Sequence, residues 1–247
     1  MDQIDTDRFG SFTGEIARIA TQQATAIRKA HAAMEISGCN LGLASEGSFT
    51  PHPELPLLTH NVELVVLVDG QNNWVLEGWA SSLETPAVQR RVYSMGEAHA
   101  FAEQVGFPAQ GLVARYATND TRHMVKGINN AGQLTDVVNT MLVAQGGAGI
   151  VLETDLRAHM NPKRMTVIRA AAVALAQNAL RICPVCAAPG VRPVETVPGL
   201  PCEWCEAPTA LPLAAVYGCV RCDYRNTLYY PDGQRAAPPG RCPYCNP

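Results

Sequence analysis

Long apolar runs, an export signal and an excess of positive charge are all missing from this chain of 247 residues. No stretch approaches the roughly eighteen apolar residues that a membrane-crossing helix needs. The start, Met1-Asp2-Gln3-Ile4-Asp5, lacks the basic-then-apolar order of a secretory signal. Both absences predict a soluble, cytoplasmic protein with no membrane partner. Lys and Arg number 19 against 22 Asp and Glu, a net charge of −3. That balance argues against broad electrostatic attraction to nucleic acid. Charge is scarce altogether, at 17%, while 47% of the residues are hydrophobic. Such a composition builds a core and does not describe a disordered chain. The length suits one sizeable α/β domain with a small appendage. There is also no Gly-x-Ser-x-Gly elbow around Ser48, which weighs against a serine hydrolase.

Cysteine is nearly absent from the first 182 residues, where only Cys39 occurs. The other eight form four Cys-x-x-Cys knuckles: Cys183/Cys186, Cys202/Cys205, Cys219/Cys222 and Cys242/Cys245. Disulfides would not demand the same short spacing four times, whereas two thiolates from one such turn occupy two corners of a tetrahedron. Eight thiolates therefore predict two structural zinc ions. Fifteen residues separate the first two knuckles and nineteen the last two. Both gaps suit zinc ribbons, so sequential pairing is the first choice. A cross-braced arrangement, first knuckle with third and second with fourth, stays open on spacing alone. From Arg181 onward six arginines face five acids, with no lysine. That even balance favours a metal standing in for a missing core over a nucleic-acid-binding stripe.

In the larger part, helical periodicity covers residues 13–37, ending at Gly38, and recurs over 96–105 and 133–144. Strand-like runs occupy 40–45, 111–116 and 149–152, and a hairpin joins 62–69 to 74–80. Asn161 is placed to cap a helix that starts at Pro162 and ends near Arg181. Alternating strands and helices predict an α/β domain over 1–181: a mixed, partly parallel sheet flanked by helices. A two-zinc ribbon module over 182–247 follows it.

Ligands of open α/β sheets sit outside the carboxyl ends of the strands. Two of the expected strands run into polar sequences there, Ser45-Glu46-Gly47-Ser48 and Glu153-Thr154-Asp155 with Arg157 close behind. Carboxylates gathered with arginines suit a hard cation such as Mg²⁺ and an anionic substrate. Glu46, Glu153, Asp155 and Arg157 are therefore the candidate catalytic residues, expected to converge on one cleft. Asp5, Asp7, Ser48, Lys126, Asn161 and Arg164 are the candidate substrate contacts, the last two because a capped helix start offers N–H groups and a guanidinium to an anion. The plain alternative is that Glu153, Asp155 and Arg157 only pair with one another at a sheet edge. Cys39 reads as a buried small hydrophobe rather than a nucleophile.

Four ordered stretches resemble a bacterial family classified only as a domain of unknown function. They are Asp5-Thr6-Asp7 with Gly10-Ser11-Phe12-Thr13-Gly14-Glu15, the Ser45–Pro53 segment, Glu153-Thr154-Asp155-Leu156-Arg157 with Asn161-Pro162-Lys163-Arg164-Met165, and Gly199-Leu200-Pro201-Cys202. The resemblance spans essentially the whole chain and implies that these segments are shared features, without supplying a reaction. Members of that family carry an upstream Ala-Thr-x-His-Gly-Lys-Glu-like motif, and this chain starts after its place. Should that motif supply catalytic groups, the expectation is a truncated or inactive member. Several family knuckles continue with glycine, where this chain has Ala187, Glu206 and Asp223.

Two functions follow as expectations. One is a divalent-cation-dependent enzyme acting on a small anionic, phosphorylated or nucleotide-like substrate. The other is a non-catalytic zinc-ribbon module that contacts nucleic acid or a protein partner.

Overall fold

The computed structural model describes residues 9, 20–53, 55–85, 87–118 and 123–246. They fall into two compact units. One comprises the described residues before Asp69 together with Gly78–Ala174; the other comprises Asp69–Glu77 and the residues from Leu175 onward. No helix among the described residues is long and apolar enough to cross a membrane.

The first unit begins with helix α1 (Gln22–Ser37), capped by the Thr21 hydroxyl and ended by Gly38 in the left-handed conformation, at φ 68°. Glycine reaches that conformation without a Cβ clash, so the expected stop is physical. Strands β1 (Leu41–Pro51), β2 (Thr59–Asp69) and β3 (Trp74–Ser82) form an antiparallel sheet in that order. Helix α1 packs on β1 so closely that a Cβ at Gly42 would lie 2.6 Å from the Ala30 carbonyl. Strand β1 is twice as long as expected, because Ser45–Thr50 alternates polar side chains between two protein-covered faces and so hides its strand character.

The remainder of this unit runs β4 (Gln89–Val92), α2 (Met95–Val105), β5 (Leu112–Tyr116), β6 (Met124–Ile128), α3 (Ala131–Ala144), β7 (Ile150–Thr154) and α4 (Pro162–Leu180), whose last turns belong to the second unit. Its sheet has the order β4-β7-β5-β6. Val92, Leu112, Ala114, Ile128, Ile150 and Leu152 pack against Phe101, Ala102, Leu134, Val138 and Met141 of α2 and α3. This is the core that supports the sheet's polar end.

Every sheet is antiparallel, which corrects the expected partly parallel one. The helix-strand alternation does encode crossovers. Each crossover, however, skips a strand: β7 lies between β4 and β5, and β5 between β6 and β7. The strands joined by a helix run the same way but are not neighbours, so no adjacent pair is parallel. Two of the strands, β4 and β6, carry arginines, lysine and glycine, and nothing in their pattern announced them.

The second unit holds β8 (Arg192–Pro198), β9 (Pro212–Gly218) and β10 (Arg225–Tyr229), antiparallel in the order β10-β9-β8. The Asp69–Glu77 hairpin tip is tied into this unit: Arg192 donates to Glu77 Oε2 at 2.9 Å and Asn178 Nδ2 to the Glu77 carbonyl at 2.8 Å.

Candidate functional site

Two groups of four cysteines are the most complete metal-ligating constellations among the described residues. Cys183, Cys186, Cys219 and Cys222 bring their sulfurs together, and so do Cys202, Cys205, Cys242 and Cys245, all within 4.8 Å inside each group. The first knuckle thus joins the third and the second joins the fourth, so the module is cross-braced and sequential pairing is incorrect. The closest sulfurs of different knuckles lie 3.6 to 3.9 Å apart. That is far too long for a disulfide. It matches the edge of about 3.8 Å of a tetrahedron with Zn–S bonds of about 2.3 Å. The residues therefore fit two structural zinc ions.

The first two knuckles repeat one local sequence. The segments Cys183-Pro-Val-Cys-Ala-Ala-Pro and Cys202-Glu-Trp-Cys-Glu-Ala-Pro share one turn. The Cys183 N–H donates to Ala188 O at 2.8 Å, and the Cys202 N–H to Ala207 O at 2.9 Å. The third knuckle lacks that Ala-Pro but makes the same bond, from the Cys219 N–H to Tyr224 O at 3.1 Å, and each group combines one Ala-Pro knuckle with one that lacks it. Hairpin β9–β10 is closed by the Cys219/Cys222 knuckle.

The chemistry of the two sites is the same. Burial disfavours the Cys219 thiolate, but N–H groups of Arg221 and Cys222 and the thiols of Cys186 and Cys183 bring it down to about 7. Cys242 is also brought down to about 7, by N–H groups of Cys245 and Tyr244 and by the Cys205 and Cys202 thiols, again against burial. Their partners go the other way. Cys245 is pushed up to about 12, first by the Cys205 thiol and then by burial, and Cys222 also rises to about 12. Four thiols this close cannot all ionise without a cation, and a zinc ion supplies the charge that lets them. Ala187 and Glu206, each directly after a knuckle's second cysteine, hold left-handed backbones at φ 56° and 59°.

The acidic residues of the first unit are arranged differently from the expectation. Glu46 is buried inside β1 and meets Lys29 of α1 at 2.5 Å. Ser48, on the same face, donates to Gln22 Oε1 at 2.9 Å. Glu153 lies half-buried on β7 against Arg115 of β5, at 3.1 Å. Asp155 is wholly buried and clasped by Arg157, whose Nη2 approaches Oδ2 to 2.6 Å, while the Gly127 N–H donates to the same oxygen at 3.2 Å. The three carboxylates do not share a cleft; each ends on its own cation. The reason is strand alternation: Glu46 faces α1, whereas position 47 faces the opposite side. Among the described residues, the two cysteine groups are the only clusters of three or more metal-ligating side chains.

Arg164 and Asn161 do come together with Asp155. Asn161 Oδ1 accepts from the Arg164 N–H at 3.0 Å as the α4 cap, and its Nδ2 donates to the Asp155 carbonyl at 3.2 Å. The Arg164 guanidinium is spent on Glu63, a residue the sequence reading missed, in a two-pronged contact at 2.6 and 3.0 Å, and on the Leu156 carbonyl. Gly47 is required here, since a Cβ would lie 2.3 Å from Arg164 Nη2. Beside Glu63 on β2, Asn61 is fully buried, and among the described residues neither of its amide atoms has a partner. Lys126 sits half-buried on β6 next to Gly127. Asp5 and Asp7 lie outside the described residues. Cys39 is exposed rather than buried.

Beyond these residues, a cavity of about 310 Å³ opens where β7 ends and α4 begins. Gln104, Gln110, Thr154, Pro162 and Lys163 contribute to its lining. Gln110 is itself fixed, donating to the carbonyls of Gly111, Asp155 and Met160 at 2.9 to 3.2 Å. Lys163 is not among the residues the sequence singles out, whereas its neighbour Arg164 is. On the helix, Arg164 turns inward and Lys163 stays exposed.

A two-sheet α/β unit followed by a cross-braced pair of four-cysteine zinc sites is the class these features define. The family model for a domain of unknown function, DUF6671, matches residues 29–247, and the chain belongs to that family. No curated protein and no solved structure matches it.

Proposed function

We propose that the first unit is an enzyme domain that holds a small anionic substrate, phosphorylated or nucleotide-like, in the cavity at the start of α4. The cavity itself carries this reading. Its volume of about 310 Å³ falls at the lower end of the range for small-molecule sites. It lies at a strand end and a helix start, where backbone N–H groups and the helix dipole favour negative charge. Lys163 supplies a cation there, and Thr154, Gln104 and Gln110 supply neutral polar groups. Each of Glu46, Glu153 and Asp155 is already neutralised, so a divalent cation belongs to this reading as a companion of the substrate's phosphates rather than as the occupant of a carboxylate cluster.

The test is a thermal-shift and phosphate-release screen of the zinc-loaded protein against nucleotides and sugar phosphates, with and without Mg²⁺. A stabilising ligand should appear, and Lys163→Ala should weaken it about tenfold. Because Lys163 is exposed, the variant should keep the unliganded melting temperature within about 1 °C. No response to any anion, or an unchanged response in the variant, would remove the reading.

A second reading, that the zinc module docks a protein partner, is favoured by one observation. Trp204 and Tyr244, 74% and 73% exposed, each precede a ligand of the same metal site. Aromatic side chains this exposed are more usual in interfaces than on inert surfaces. The module's even charge speaks against nucleic acid.

A further inference from the structure

The two edges of the β10-β9-β8 sheet are protected very differently. Strand β8 carries Pro193 and Pro198 and is irregular at two places in its pairing with β9. Prolines and bulges are how sheets blunt an open edge. Strand β10, Arg225-Asn226-Thr227-Leu228-Tyr229, has no proline, lysine or bulge, and all five residues are exposed.

Its free hydrogen-bonding groups can be assigned. The Cys219 N–H donates to Tyr224 O at 3.1 Å and the Tyr230 N–H to Leu213 O at 2.8 Å, bracketing a regular ladder in which Arg225 faces Gly218 and Tyr229 faces Ala214. Hydrogen-bonded pairs alternate in an antiparallel ladder, so Asn226 and Leu228 bond to β9. The N–H and C=O groups of Arg225, Thr227 and Tyr229 point away from it. Among the described residues none of these outward groups has a backbone partner.

We infer that β10 is a pairing edge for a second copy of this chain, joined antiparallel about Thr227. The strand is self-complementary in that register. Thr227 meets Thr227 of the other copy, and Arg225 meets Tyr229, which sets a guanidinium against an aromatic ring and avoids any meeting of like charges. The outward groups of the three residues then form about six backbone hydrogen bonds. The other registers lose bonds, and a one-residue slip also places each odd residue's bonding groups against the wrong partner. A parallel pairing would oppose Arg225 to Arg225. This inference is independent of the cavity and its ligand.

Sedimentation velocity of the full zinc-loaded chain, over about a hundredfold range of concentration, should show a monomer–dimer equilibrium. Thr227→Pro removes the central outward N–H but no bond to β9, and should raise the dissociation constant at least about tenfold while two zinc ions per chain are retained. Thr227→Lys provides the same test without proline. Register is read at position 229: Tyr229→Arg sets arginine against Arg225 and should weaken the dimer, whereas Tyr229→Glu should preserve it. A chain that stays monomeric throughout, a dimer unaffected by both Thr227 variants, or equal effects of Arg and Glu at 229 would each overturn the inference.

Discussion

The first unit is built around an ordinary apolar core, and the second around two groups of four cysteines suited to zinc. In the first, Phe101, Leu112, Leu134, Ile150 and Leu152 are essentially inaccessible and touch one another between sheet and helices. In the second, the buried cluster around the first metal site is Cys183, Ala188, Val191 and Cys219, with two of its four members metal ligands. Small segments cannot bury enough apolar surface to offset chain entropy, so a metal supplies what the core lacks. The first unit, conversely, has core to spare and uses it to bury charge. Glu63 and Arg164 are 0% and 4% exposed, and such pairs generally do not repay their desolvation.

Removing the metal should break the comparison most completely. Chelation ought to unfold the second unit, since structural zinc binding of about 10–16 kcal/mol is there folding free energy. The Ile150–Leu152 core should persist, and amide exchange measured before and after chelation will show which strands lose protection. Elemental analysis of replete protein should give two zinc ions per chain. Acid should mimic the chelator. The metal must displace protons from Cys222 and Cys245, which sit near 12 without it, so falling pH favours the metal-free thiols.

Next in size comes the buried ion pair. Arg164→Met alone strands the Glu63 carboxylate and should cost about 3–5 kcal/mol, while Glu63→Leu combined with it should recover most of that loss. Chemical denaturation of the single and double variants gives the coupling directly. Asn61→Leu should act oppositely and stabilise the first unit by about 1–2 kcal/mol, because it removes an amide buried without partners. A loss of stability in that variant would mean that the amide has a bound water or ligand. The smallest effect is expected in the knuckles. Ala187→Gly relieves a left-handed φ and should stabilise the zinc module by about 1 kcal/mol, read as slower metal release to a chelator.

Much of the secondary structure could be read locally. Gly38 stops α1, Asn161 and Pro162 start α4, and the Gly70–Asn73 turn joins β2 to β3, because caps and turns depend on a few adjacent residues. Strands β4 and β6 could not be read, since runs of only four and five residues interrupted by Arg90, Arg91, Lys126 and Gly127 gain strand character only from their neighbours in the sheet. At the start of α4 the motif around Asn161 and Arg164 was legible, but only the fold shows Arg164 turned inward to Glu63 while Lys163 lines the cavity.

By itself the sequence marked the eight cysteines that gather into two groups suited to zinc, because Cys-x-x-Cys spacing fixes two tetrahedral corners within one turn. Which knuckle meets which was decided by the path of β8, β9 and β10, a long-range matter on which spacing is silent. The same holds for the carboxylates. Residue type and position marked Glu46, Glu153 and Asp155 as unusual, but the side of the strand each one faces, and the cation waiting there, depend on sheet order. Strand order places side chains from distant parts of the chain, and no local pattern records it.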